Sequence, residues 1–362
     1  MSFESIQKNF GFGLMRLPMI GDQVDIEQTK KMVDAFLERG FNYFDTAHGY
    51  IDGKSELAAR ECLTSRYPRE RYILTNKLSG NYFSSGEEIR PLFESQLEAC
   101  GVSYFDFYLM HAMNKARFDS YCEMKAIEIC QELKAEGKIR HIGMSFHDKA
   151  EVLDHILTQW PMIEVVQLQF NYVDFEDEKV ESRKCYEVCR KHGKPVIVME
   201  PVKGGSLVNL PEAAQKVLDN LKGGSNASYA IRFAAGFEGI MMVLSGMSSL
   251  AQMEDNISFM ADFQPLNEAE QEAVKKVCAI FRNQGLIPCT ACRYCTEVCP
   301  QEIAIPELFA CLNAKTSGEH VNYPQGTTPA SQCVKCGACE KICPQNLNIR
   351  ELLVVAAEAL EA

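Results

Sequence analysis

Asp45, Lys77 and His111 each close a short β-like run, at 41–45, 72–77 and 105–111, and Tyr50 lies five residues beyond Asp45. All four side chains exchange protons or hold charge. Taken singly, Tyr50 reads as a loop aromatic, His111 as a buried histidine and Asp45 with Lys77 as a plain ion pair. Their recurrence at successive run ends instead fits proton-coupled hydride transfer. A free phenol titrates near pH 10, too high to give up its proton readily. The Lys77 ammonium is expected to lower that value, and Asp45 to keep the ammonium charged. A neutral His111 would donate to a substrate oxygen where negative charge develops, and Tyr50 would supply the proton.

A second pattern lies in the cysteines. The chain has 16, and eight fall between Cys289 and Cys343. They form Cys289-x-x-Cys292-x-x-Cys295-x-x-x-Cys299-Pro300 and, 44 residues on, Cys333-x-x-Cys336-x-x-Cys339-x-x-x-Cys343-Pro344. This is the ligand run of bacterial two-cluster ferredoxins, in which the fourth cysteine leaves its triplet for the other cluster. Cys289, Cys292, Cys295 and Cys343 are therefore expected to hold one [4Fe–4S] cluster, and Cys333, Cys336, Cys339 and Cys299 the second. Zinc sites usually split into two cysteine pairs rather than triplets. The segment 283–362 resembles a two-cluster ferredoxin. The other eight cysteines lack such spacing and read as buried or half-buried thiols.

The elements that must position these groups follow from periodicity. Eight β-like runs begin near residues 11, 41, 72, 105, 139, 165, 196 and 240, each separated from the next by a helical pattern. Val196-Ile197-Val198-Met199 is apolar throughout, as suits a parallel strand covered on both faces. Over 27–39, Met32, Ala35, Phe36 and Arg39 recur at helical spacing, and Gly40 ends the pattern. Eight such units predict an α/β fold, a (β/α)8 TIM barrel, with chemistry at the C-terminal ends of its strands. No G-x-G-x-x-G follows the first run, which argues against a doubly wound dinucleotide domain. Asn267 and Glu270 form a capping-box pattern, and Gly285 and Pro288 break the helix that follows. The expected organisation is a barrel over 1–265, a linking helix over 266–284, and a small α+β ferredoxin-like domain over 285–362.

Phe44-Asp45-Thr46-Ala47-His48-Gly49-Tyr50, Gly53-Lys54-Ser55-Glu56, Leu74-Thr75-Asn76-Lys77 and Asp106-Phe107-Tyr108-Leu109-Met110-His111 resemble the aldo-keto reductases, as does Gly11-Phe12-Gly13-Leu14-Met15-Arg16-Leu17-Pro18. The likeness spans about 5–262. It implies NAD(P)H-dependent carbonyl reduction, or the reverse alcohol oxidation, at a tetrad of Asp45, Tyr50, Lys77 and His111. It also implies nicotinamide contacts at Ser145 and Gln167. Phe146 stands where the family usually has Asn, with His147 as a substitute, and Met199-Glu200-Pro201 lacks the family's stacking Tyr. Gln252, Asp255 and Asn256 resemble its adenosine-binding end, Gly246, Met247 and Ser248 lead into the helix that bears them, and the Gly204 loop could hold a flavin phosphate. A helix start after Ser249 offers free N–H groups to phosphate. Gly246 and Gln252 stand where many members carry the cations that select NADP, so NAD and NADP both remain open.

The balance of 37 Lys+Arg against 49 Asp+Glu gives a net charge of −12, which argues against nucleic-acid or anionic-membrane partners. No apolar run approaches the roughly 18–20 residues of a membrane span. No leader is visible at the N-terminus, so a cytoplasmic location is expected. The function expected is an oxidoreductase acting on a small carbonyl or alcohol, its clusters serving electron transfer with a redox partner. Nicotinamide gives two electrons together and each cluster takes one, so a flavin is the usual splitter. This leaves two alternatives: a flavin-loaded electron-transfer protein, or a nucleotide-sensing interaction module.

Overall fold

Apolar runs too short for helices and rich in branched residues pair in parallel and close on themselves. In the computed structural model, which describes residues 3, 5–221, 223–318, 321, 323–324 and 326–361, eight strands form a closed barrel. They are β1 (Phe10–Gly13), β2 (Tyr43–Asp45), β3 (Ile73–Leu78), β4 (Phe105–Met113), β5 (Ile139–Phe146), β6 (Val165–Gln169), β7 (Val196–Met199) and β8 (Ile240–Gly246). Each pairs in parallel with its sequence neighbours, and β1 closes the ring by pairing with both β2 and β8. All six residues of β3 and all five of β6 are buried, because helices cover the outside and side chains fill the inside.

Tyr43, Ile73, Phe107, Leu109, Val165, Ile197, Met242 and Leu244 form that interior, a packed core rather than a channel. Its tightness shows at Gly143, where a Cβ would sit 2.5 Å from Leu109 and 2.6 Å from Val165. The first outer helix, α1 (Ile26–Glu38), is capped by Asp25, which accepts from the Gln28 N–H, and it buries Met32, Val33 and Phe36. The helix expected to link two domains, Glu268–Arg282, starts in the capping box of Asn267 and Glu270. It packs Ala273, Val274 and Val277 on Tyr172, Leu218 and Tyr229, so it lies on the barrel's flank.

Beyond it, helices Ile305–Thr316 and Ile349–Leu360 share a second core of Ile305, Leu308, Phe309, Leu353 and Ala356. The strands of the expected α+β arrangement do not form among the described residues there, whose regular elements are all helical. The cysteine loops turn too sharply to leave extended runs. These loops sit over the barrel mouth. Gln345 and Gln169 exchange amide hydrogen bonds of 3.0 and 2.9 Å, beside the buried pair of Lys203 and Asp174. Among the described residues no helix is long and apolar enough to cross a membrane.

Candidate active site

Adjacent strands bring Asp45 and Lys77 together at the mouth. Lys77 Nζ lies 2.6 Å from Asp45 Oδ1 and donates to the Thr46 carbonyl at 2.8 Å. The same ammonium is 4.7 Å from the centroid of the Tyr50 ring, which meets the His111 ring edge-on at 5.9 Å. The loop carrying Tyr50 is pinned from below: Ser55 Oγ bonds Thr46 Oγ1 at 2.7 Å and donates to the Leu14 carbonyl at 3.0 Å. Gly53, at φ 81°, supplies the left-handed turn that starts the next helix. His111 is aimed by an irregularity in β4. Met110 pairs with Met144 and Met113 with Phe146, so β4 carries one residue more than β5 over that span. Ala112 takes up the excess at φ 52°, and its N–H donates to Ser145 Oγ at 2.7 Å. Such bulges turn a side chain out of the ladder.

Burial raises the Asp45 carboxyl and lowers the Lys77 ammonium, and the attraction between them opposes both shifts. Removing one partner strands the other charge. Lys77→Met is therefore expected to cost about 3–5 kcal/mol of stability, read by denaturant unfolding; a loss near zero would mean that the pair is not buried as described. The Tyr50 phenol departs from expectation. Burial, then the Asp45 charge, push it well above its usual value, where the lysine cation was expected to lower it.

His111 is held well below its usual value by burial, then by Lys77 and Arg117. Its Nδ1 is 2.7 Å from Ser79 Oγ. With the serine donating to Nδ1, Nε2 carries the proton and faces the mouth, the neutral donor expected. The unfolded chain protonates this imidazole below about pH 6.5 and the folded chain does not. Its contribution to stability is thus full above that pH and falls as the pH drops below it. His111→Gln is expected to lose less Tm than the wild type between about pH 7 and pH 5; equal losses would contradict this.

Asp45, Tyr50 and His111 line a cavity of about 440 Å³, with Lys77 beneath its wall. Ser145 and Gln167, directly paired on β5 and β6, face the same space. Gly204 enters from the loop after β7, and Gly246, Met247, Ser248, Gln252, Asp255 and Asn256 from the turn and helix after β8. Phe146 is buried in the core while His147 and Met199 reach the cavity. The helix start expected to hold phosphate is partly engaged by its own surroundings. Gln252 Oε1 accepts from Ser248 N at 2.7 Å, Ser249 Oγ from Gln252 N at 3.2 Å, and Gln28 Oε1 from Leu250 N at 3.2 Å.

The first unit places a cation, Arg16, beside the eighth, with its guanidinium 4.0 Å from Glu200 Oε1. The stem of Arg16 lies over Gly246, 3.2 Å from where a Cβ would stand, and its guanidinium donates to the Thr290 carbonyl at 2.7 Å. Arg16 was legible only as part of the first loop; the β1–β8 pairing of Gly13 with Gly246 brings it here. Ser79, two residues past Lys77 and just beyond the end of β3, bonds His111 Nδ1 at 2.7 Å. Tyr294 and Gln345 carried no sequence signal.

The eight spaced cysteines gather as two crossed sets. Cys289, Cys292, Cys295 and Cys343 line one small pocket, and Cys299, Cys333, Cys336 and Cys339 line another. The internal repeat is written into the backbone. Left-handed residues stand at Ala291, Arg293 and Glu302 and, 44 positions later, at Lys335, Gly337 and Asn346. Such turns point successive N–H groups into a concavity suited to an anionic iron–sulfur cluster, and Ala291 N lies 3.5 Å from Cys289 Sγ. Among the described residues no three His, Cys, Asp or Glu side chains converge on a site for a single metal ion. Two crossed sets of four cysteines, three of each drawn from one tight loop, fit [4Fe–4S] clusters.

A closed barrel with a cavity at its mouth lined by Tyr50, His111, Ser145 and Gln167, and an iron–sulfur domain beside it, has the build of an NAD(P)-dependent oxidoreductase. The chain belongs to the aldo/keto reductase family, whose model matches residues 9–279, and a 4Fe-4S dicluster domain matches residues 288–347. It is 27% identical to an NADH-specific methylglyoxal reductase of Escherichia coli over 48% of its own length and 57% of that protein's, little more than half. It is 26% identical to an L-galactose dehydrogenase of Arabidopsis thaliana over 75% of this chain and 89% of that one. Among solved structures, the holo form of an aldo-keto reductase from Bacillus halodurans aligns with a TM-score of 0.62 at 26% identity, covering 74% of this chain and 91% of the other.

Proposed function

We propose that the barrel interconverts a small carbonyl compound and its alcohol with NAD(P), using Asp45, Tyr50, Lys77 and His111, while two [4Fe–4S] clusters relay electrons. The observation that carries this reading is the shared cavity of Tyr50 and His111 with Ser145 and Gln167. Bound NAD(P)H supplies the hydride. His111 Nε2–H holds the substrate oxygen, Tyr50 passes it a proton, and Lys77 with Asp45 fixes the charge beneath the phenol. Ser145 and Gln167 orient the nicotinamide amide. Gly204, Gly246, Met247, Ser248, Gln252, Asp255 and Asn256 line the way to the phosphates and adenosine, and Arg16 supplies the cation there. The names of the two relatives, a methylglyoxal reductase and an L-galactose dehydrogenase, support a carbonyl or alcohol substrate. Aldehyde- or ketone-dependent oxidation of NADH or NADPH by the anaerobically purified chain tests the proposal, and intact nucleotide binding with no turnover on a broad carbonyl and alcohol panel would refute it.

One observation favours a second reading. Cys292 lines the nucleotide cavity itself, so the first cluster would border the bound cofactor, and electrons would pass between barrel and clusters to an external redox protein. A flavin would then be needed to split the pair. Flavin released on heating, together with bleaching of the clusters by NAD(P)H without substrate, would favour this reading; absence of both would remove it.

A further inference from the structure

Tyr294 stands between Cys292 and Cys295 in the first cysteine loop, yet its side chain enters the barrel cavity. Its hydroxyl lies 3.5 Å from His111 Nε2, a long contact, and its phenol interacts electrostatically with that of Tyr50 in the same cavity. The Tyr294 and His111 rings meet edge-on with centroids 6.2 Å apart. On the carbonyl reading proposed above, on which this inference rests, Tyr50 and His111 are the two groups that hold the substrate oxygen. The Tyr294 phenol therefore stands in the cavity against the two groups that would hold a substrate oxygen. Two oxygens cannot share that place, since hydrogen-bonded oxygens approach no closer than about 2.5 Å.

The backbone around Tyr294 is built to hold it there. Ala291 and Arg293 both take the left-handed conformation, at φ 53° and 66°, in the turn that precedes Tyr294. The base of the loop is clamped on the barrel. Arg16 donates to the Thr290 carbonyl, and Gly204, at φ 64°, packs so closely that a Cβ would come within 2.6 Å of that oxygen. Cys295 is buried on the other side. Between these anchors only the short stretch that starts the helix Tyr294–Glu297 remains to move.

We infer that Tyr294 is a resident occupant of the substrate-oxygen position, so that substrate binds only when this side chain withdraws and the cluster loop gates the barrel. A site closed most of the time has its apparent affinity reduced by the fraction that is open. Opening breaks the contacts to Tyr50 and His111, and removing the hydroxyl or the ring should raise the open fraction.

Acetate, whose carboxylate offers an oxygen to the same pair of groups, is the probe. It is titrated calorimetrically into the full-length, cluster-loaded chain saturated with NADPH or NADH, with cluster content checked by visible absorbance. Tyr294→Ala is expected to bind acetate at least about 10-fold more tightly than the wild type. Tyr294→Phe, which keeps the ring and loses only the hydroxyl, should gain roughly 2- to 10-fold, the worth of a neutral hydrogen bond. In turnover the same release appears as a lower KM. Acetate affinity equal to or weaker than the wild type in both variants would overturn the gate. If Tyr294→Ala fails to assemble its clusters, Tyr294→Phe decides alone. Adding Tyr50→Phe to the Tyr294→Phe protein should weaken acetate binding; indifference there would reject the carbonyl site itself, whatever the Tyr294 variants show.

Discussion

Tyr50→Phe is expected to lower kcat by at least about 10²-fold, the range of a lost general acid, with nucleotide affinity little changed. The substitution removes one oxygen and leaves the ring against Lys77 Nζ at 4.7 Å and beside His111 at 5.9 Å between centroids, so packing and nucleotide contacts persist. The phenol's raised pKa keeps it protonated at neutral pH, the state a carbonyl reduction consumes. Single-turnover rates with NAD(P)H, measured beside nucleotide dissociation constants, separate the two effects. Turnover like that of the wild type would take Tyr50 out of its role.

Loss of iron from paired cysteine variants has the second largest expected effect, and it tests the crossed ligand sets. The wild type, purified anaerobically, should carry about eight irons and eight sulfides, the content of two cubanes. Cys343→Ser alone should leave about four irons. Combined with Cys289→Ser it should still leave about four, because both residues line one pocket. Combined with Cys339→Ser it should leave almost none, because Cys339 lines the other. Ligand sets that follow sequence order would reverse the two double variants, and stoichiometric zinc in place of iron would reject the clusters altogether.

The barrel was legible because its signal is local and repeated. All eight runs read from residue type become strands, since a parallel strand buried on both faces must be apolar almost throughout. Helix ends read well for the same reason: the Asn267 and Glu270 box closes on neighbouring residues, so its chemistry lies within four positions. The small domain read less well. An α+β form was expected where the described residues form helices and turns. Left-handed turns at ordinary residues such as Ala291, Arg293 and Lys335 leave no mark in composition.

Side-chain acidity was misread at Tyr50 because only one neighbour was counted. Lys77 stands close, but burial and then Asp45 act on the same phenol and raise it. Arg16 was missed for a related reason. Its approach to Gly246 spans 230 positions and exists only because β1 pairs with β8.

The order of residues along the chain determined the alternation of strands and helices, the four proton-handling groups at strand ends, and the two cysteine triplets with their outlying fourth members. Each of these rests on spacing of a few residues, where covalent geometry already limits what can meet. Tertiary structure alone decided that the cysteine loops lie on the barrel mouth, that Gln345 pairs with Gln169, and that Tyr294 reaches Tyr50 and His111. Those contacts join segments more than 170 positions apart, and they exist only because two distinct apolar cores lie side by side.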